Sequence, residues 1–267
     1  MYRPRVTASS PVPAPPDPRP RFDRLDTLRG LAIVWMALFH FSFDLNEAGY
    51  LHPHQVFWRD PFWTGQRACI VSLFLLCAGA GQAVAIANGQ SWPRFWKRWA
   101  QVAGCAVLVS AGSAIMFPNA WISFGVLHGM AVMLLLLRAL GSVCPPERVA
   151  RQPAMFAALA LLALVAWQLP HHVTSPFFDS RWTNWTGLIT RLPVTEDYVP
   201  VMPWLGMMLA GYLAMSWLMA HRTRAVAGAV PRAAGGLALL GRWSLSFYML
   251  HQPILIGAVM AWKTIAG

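Results

Sequence analysis

The sequence predicts an all-α protein: a polytopic integral-membrane helical bundle of about seven transmembrane helices with its N-terminus in the cytoplasm. Three observations predict it. The chain is 57% hydrophobic and only 12% charged, with a mean hydropathy of +0.46, against roughly 45–50% apolar and 25% charged in soluble domains. Apolar runs close to 20 residues long recur along it, the length that crosses a hydrocarbon core of roughly 30 Å at 1.5 Å per residue. The basic residues fall in the short segments between these runs, and they favour alternate segments.

Residues 1–22 hold seven prolines among Ser, Ala and Arg and cannot build a core, so they read as a disordered cytoplasmic tail. The domain proper runs over 23–267. The first span, 25–45, starts late and has no small-residue cleavage site after it, so it is an anchor and not a cleaved signal. A polar and aromatic stretch over 46–66 suits a membrane interface. The second span, 67–87, carries Ala78-Gly79-Ala80-Gly81, small residues that let helices approach closely. A basic loop with Arg94, Lys97 and Arg98 precedes the third span, 99–117, and Pro118-Asn119 turns the chain into the fourth, 121–140. After a second basic loop with Pro145-Pro146 comes the fifth span, 153–169, which has no ionisable residue and reads as packing. The connection over 170–199 is too long for an ordinary loop and therefore reads as functional. The sixth span covers 202–220. A third basic loop over 221–232 leads to the seventh, 242–262.

An N-terminus inside puts 16 of the 21 basic residues on the cytoplasmic side, which sets the orientation. Orientation then converts polar residues into depths. Arg29, Arg94, Arg98 and Arg242 fall near the cytoplasmic face and could together clamp a phosphate-bearing ligand, Arg29 and Arg242 foremost as they lie inside helical segments; singly, each is also what a snorkelling charge looks like. His40 and Asp44 share a face in the outer half of the first helix, because i, i+4 residues stack on one side. His128 is expected at a similar depth and His251 nearer the middle, where Pro253 can free a carbonyl. Ionisable groups at these depths are costly against lipid and so should face the protein interior, in outline an acid–base constellation.

Other chemistries find less support. Cys69, Cys77, Cys105 and Cys144 show neither a disulfide framework nor a zinc spacing. No metal is expected, since no two histidines share a helix at ligand spacing. No Gly-x-Ser-x-Gly elbow marks a serine nucleophile. The net charge of +11 is spread over short loops, so nucleic acid is not an expected partner.

Five blocks carry a family resemblance: Arg24-Leu-Asp-Thr-Leu-Arg-Gly-Leu-Ala32, Leu38-Phe-His-Phe-Ser-Phe-Asp-Leu45, Phe124-Gly-Val-Leu-His128, Asp197-Tyr-Val-Pro-Val-Met-Pro-Trp-Leu-Gly206 and Leu239-Leu-Gly-Arg-Trp-Ser-Leu-Ser-Phe-Tyr-Met-Leu-His-Gln-Pro253. In this order they resemble the heparan-alpha-glucosaminide N-acetyltransferase catalytic-domain family, particularly its short bacterial members. The resemblance implies transfer of an acetyl group from cytosolic acetyl-CoA to an acceptor on the far side of the membrane. It also implies a catalytic histidine near the outer end of the first helix. The lysosomal enzyme has its histidine near the position of His52, whereas short bacterial members have His and Asp at the positions of His40 and Asp44; both histidines stand as candidates.

The reading that results is a membrane acyltransferase of the bacterial inner (cytoplasmic) membrane. Arg29, Arg242 and Arg98 would hold acyl-CoA. His40, oriented by Asp44, would act as base, and His128 or His251 would donate to the oxyanion. Asp197, Tyr198 and Trp204 would hold a sugar or glycan acceptor. Its partners are the bilayer, the acyl-CoA donor and that acceptor, with a homodimer as a further candidate. A proton-coupled transporter or flippase-like carrier is the rival from another class, although no repeat with paired broken helices is seen; a non-catalytic scaffold would leave the buried ionisable residues without a role.

Overall fold

The computed structural model describes residues 22–228 and 230–266; the proline-rich tail expected to be disordered lies outside the described residues. Ten α-helices follow one another: α1 (Asp23–Glu47), α2 (Pro61–Ala87), α3 (Trp92–Met116), α4 (Val126–Val143), α5 (Pro146–Arg151), α6 (Pro153–His172), α7 (Val201–His221), α8 (Thr223–Val226), α9 (Gly235–Arg242) and α10 (Ser244–Ala266). Among the described residues, seven of these are long and apolar enough to cross a membrane. There is no strand among the described residues beyond an isolated parallel bridge between Phe124 and Tyr198.

Prolines start several helices where a missing N–H costs nothing, as at Pro61, Pro146 and Pro153. Asp60 caps α2 by accepting from the Phe62 N–H at 2.8 Å. The core is centred on α7, which packs on α2 and α6, while α1 packs on α2, α9 and α10. The small-residue stretch of α2 sets the α2–α7 distance: a Cβ at Gly79 would strike the Met208 carbonyl, and one at Gly211 the Leu76 carbonyl. Tyr212, fully buried on α7, donates to the Cys144 carbonyl at 2.7 Å and so fixes the turn between α4 and α5.

Helices α2 and α3 begin at Pro61 and Trp92, before the expected 67 and 99, so that Arg94, Lys97 and Arg98 stand in the first two turns of α3 and not in a loop. Three further boundaries differ for a local reason. The fourth span starts at Val126, not near 121, because residues 120–124 run extended beside residues 196–199, with Glu196 N–H donating to Ala120 O and Val199 N–H to Phe124 O. Helix α6 continues through Pro170 to His172, since a proline interrupts one backbone bond without ending a helix whose neighbours hold it. The last span is preceded by a separate helix, α9, which breaks from α10 at Trp243 and lies antiparallel along the first turns of α1, with Gly30 against Leu237 and Gly241 against the Asp26 carbonyl.

Candidate active site

Helices α1 and α10 bring two imidazoles together. The His40 and His251 rings lie 5.2 Å apart, centroid to centroid, tilted by 58°. The residue His251 is 7% exposed, and its ring also stacks on Phe247. On the other side, Phe39 meets His40 edge-on and passes the contact to Phe57 and Trp63, which stack at 4.0 Å. His40 sits about 17 residues beyond Asp23, roughly 25 Å along the helix. Asp44, one turn further, does not orient His40. The Gln252 amide donates to both its carboxylate oxygens, at 2.9 and 3.2 Å. A short Asp side chain on the i, i+4 face reaches across to the neighbouring helix more easily than back along its own.

The three arginines expected to hold a donor do converge at the opposite end of these helices. Arg29 pairs with Asp26 at 2.9 Å, and Gly81 leaves room for its guanidinium against α2. Arg242 donates to Asp23 at 2.8 Å and lies 3.7 Å from Asp26. Arg98 is within Coulombic range of Arg29. Arg98 and Arg242 also line a groove of about 670 Å³ between α3 and α10, with Gln101, Leu108, Met249 and Leu250. Three guanidiniums against two carboxylates leave an excess of positive charge beside an apolar channel, the pattern that suits an anionic head on an apolar arm.

His128 lies apart from the imidazole pair, in the first turn of α4. Its Nδ1 accepts from the Gly125 N–H at 3.3 Å, so Nε2 carries the hydrogen and donates to Ser110 Oγ at 3.1 Å. Ser110 in turn donates to the Ile122 carbonyl at 2.6 Å. Asp197 caps the same helix from the long connection, accepting from the Val126 N–H at 2.7 Å where Gly125 has no Cβ to block it. Burial pushes the Asp197 carboxyl above its usual range, against the lowering pull of Arg67 and of the Val126 N–H. Tyr198 donates its hydroxyl to the Asn184 carbonyl at 2.6 Å. Trp204 packs edge-on against Trp167, between α7 and α6. His52 is exposed in the loop after α1, and no hydrogen bond or ring contact joins it to His40 among the described residues. Glu196 lies close enough to Glu47 for that charge, together with burial, to lift its carboxyl. No three His, Cys, Asp or Glu side chains converge as a metal site among the described residues.

The pattern reading passed over three residues of this region. Gln252 follows His251 directly, and a polar amide inside an apolar span was the signal for it. Arg67, seven residues into α2, donates to the Tyr198 carbonyl at 3.4 Å, lies over the Trp58 ring, and is within Coulombic range of His40. Ser110 is a residue of α3 whose link to His128 no sequence spacing could reveal.

Seven helices long and apolar enough to cross a membrane, with a half-buried His40 against a buried His251, define a multi-pass helical membrane fold. The chain belongs to the family described as "Heparan-alpha-glucosaminide N-acetyltransferase, catalytic", whose family model matches residues 21–253 of it. No curated protein and no solved structure matches it.

Proposed function

We propose that this chain moves an acetyl or longer acyl group from acyl-CoA on the cytoplasmic side of the bacterial inner membrane to an amine or hydroxyl of a sugar or envelope glycan on the other side. The observation that carries the reading is the 5.2 Å contact of His40 with His251 where α1 meets α10, with Arg29 on α1 and Arg242 at the end of α9 standing toward the opposite end. The donor's phosphates are held by Arg29, Arg242 and Arg98, and its thioester runs along the groove between α3 and α10. The acceptor approaches from the end that bears Asp197, Tyr198 and Trp204. There Glu47 and Glu196 add negative charge suited to an amine. The Arg67 guanidinium supplies positive charge on the acceptor side of the imidazole pair, where an oxyanion develops as the thioester is attacked.

Reconstitution tests this directly. Purified protein in liposomes receives labelled acetyl-CoA on one face and a panel of amino sugars and envelope glycans on the other. Label is expected in an acceptor across the membrane, and its transfer is expected to fall in His40→Ala. If wild-type protein labels no acceptor, the acyltransferase reading fails.

A further inference from the structure

We propose that His251, through Nε2, is the base that takes the proton from the acceptor, and that the Gln252 side-chain oxygen holds a second polar hydrogen of that acceptor. The proposal rests on the acyl-transfer reading above for its reaction, but not for its geometry. His251 Nδ1 lies 2.7 Å from the Tyr248 carbonyl oxygen. A carbonyl only accepts, so Nδ1 carries the hydrogen, and in the neutral ring Nε2 is a bare lone pair. That nitrogen is buried and has no hydrogen-bond partner among the described residues. The next residue repeats the pattern. The Gln252 amide nitrogen faces the Asp44 carboxylate, which only accepts, so the amide orientation is fixed and its oxygen points away. That oxygen, too, is buried without a partner among the described residues.

Two consecutive residues of α10 therefore leave two acceptors and no donor where α10 meets α1. Buried acceptors are rarely left empty in native proteins. What complements them is a group presenting hydrogens, as a primary amine does with two N–H bonds. The arrangement reverses the role expected for His251. A bare Nε2 cannot donate to an oxyanion until it has first taken a proton. His40, by contrast, has no hydrogen bond that fixes its ring among the described residues, and it packs beside His251 as a neighbouring imidazole.

The step balances with the acyl-CoA donor as co-substrate. The acceptor's lone pair attacks the thioester carbonyl carbon and forms the C–N or C–O bond. His251 Nε2 takes the acceptor's proton, and the C–S bond breaks with its electron pair leaving on sulfur. The proton then passes from Nε2 to the thiolate, which restores the neutral ring and releases CoA as its thiol. Gln252 acts in two ways, by accepting from the substrate and by pinning Asp44 to α10.

The test has an arm that needs no transfer. Full-length protein with 15N-labelled histidine, in nanodiscs, should give a His251 signal, assigned by its loss in His251→Gln, with Nδ1 protonated and Nε2 bare. Protonation at Nε2 instead would overturn the proposal even if the protein is a fully active acyltransferase; absence of any transfer by wild type would refute the acyl-transfer reading while leaving this readout intact. In the kinetic arm, His251→Gln should lower kcat by about 10²–10⁴-fold, the usual contribution of a general base, with the KM for acyl-CoA kept and the acidic limb of the pH–rate profile lost. His40→Gln should keep that limb. Gln252→Ala should raise the acceptor KM more than the donor KM. A His251→Gln protein with wild-type elution and wild-type kcat would overturn the proposal.

Discussion

Replacing Asn46 by alanine should loosen the loop after α1 and, through it, the packing around His40. Asn46 is fully buried. Its side-chain oxygen accepts from the Gln55 N–H at 2.7 Å, and its amide donates to the Gln55 carbonyl at 3.1 Å and reaches His54 Nε2 at 3.2 Å. His54 is exposed and can turn to water; the two Gln55 backbone groups lose their partner outright. At about 1–3 kcal/mol for each buried group left unpaired, taken at the low end because the loop can shift, the loss is roughly 2–4 kcal/mol. That loop carries Phe57, which packs on Phe39 and Trp63 next to His40. Hydrogen exchange over residues 51–58, read beside denaturant unfolding in detergent, measures both effects. Gln55→Ala is the control, since it keeps both backbone groups and should cost below about 1 kcal/mol. If Asn46→Ala exchanges no faster and unfolds no earlier than Gln55→Ala, the anchoring argument is wrong.

Three further outcomes are expected. Arg242→Gln and Arg29→Gln should each raise the KM for acyl-CoA by roughly tenfold at low salt, with kcat nearly unchanged, and the difference should shrink as ionic strength screens it. Initial rates across a salt series check this. Gly79→Val should prevent accumulation of folded protein, because its side chain would meet the Met208 carbonyl, whereas Gly65→Ala, with open space around the site, should fold normally; detergent gel filtration separates the two. Asp179 accepts from the Thr190 N–H, the Thr190 hydroxyl and the Arg191 N–H, and these bonds hold its carboxyl below the usual range. A native value below the unfolded one means that its stabilisation is full above the unfolded value and is lost as pH falls through the lowered native one. The Thr190 and Arg191 amide resonances should therefore titrate at a pH below that of an ordinary aspartate, and they should stop doing so in Asp179→Asn.

The spans were legible because membrane length and hydropathy are one-dimensional properties, and the seven apolar runs could be counted directly. The arginine cluster was legible too, since a topology fixes which loops share an end, and Arg29, Arg98 and Arg242 do meet. Positions that depend on a helix start were not. The depth expected for His128 requires Trp121 to Gly125, as apolar as a helix, to be helical, yet a bridge to Tyr198 holds that stretch extended. Asp197 looked like a ligand residue, but its carboxylate caps α4 from 71 positions away. Such long-range caps leave no trace in spacing. Tautomers are also invisible in sequence: nothing in the spacing of His128 and His251 says which nitrogen carries the hydrogen, and only their partners separate them. Ser110 and Gly125 occupy both nitrogens of His128, whereas Tyr248 takes one from His251 and leaves the other bare.

The last helix explains why the polar residues sit where they do. Leu250, Ile254, Met260 and Trp262 leave α10 exposed over much of its surface, and lipid-facing apolar side chains do not fix a helix's register, since sliding it costs little in a uniform hydrocarbon. Register must come from directional contacts. Two are present on α10 itself, both to α1: His251 beside His40 and Gln252 on Asp44; Arg242, the last residue of α9, adds Asp23 and Asp26 just before it. A one-residue slip of α10 would break both of its contacts together, because each turns by about 100° about the axis. The groups that carry the proposed chemistry are thus the same groups that set where α10 stands. The separation between the arginine cluster and the bare His251 nitrogen is consequently tied to α1, which touches both.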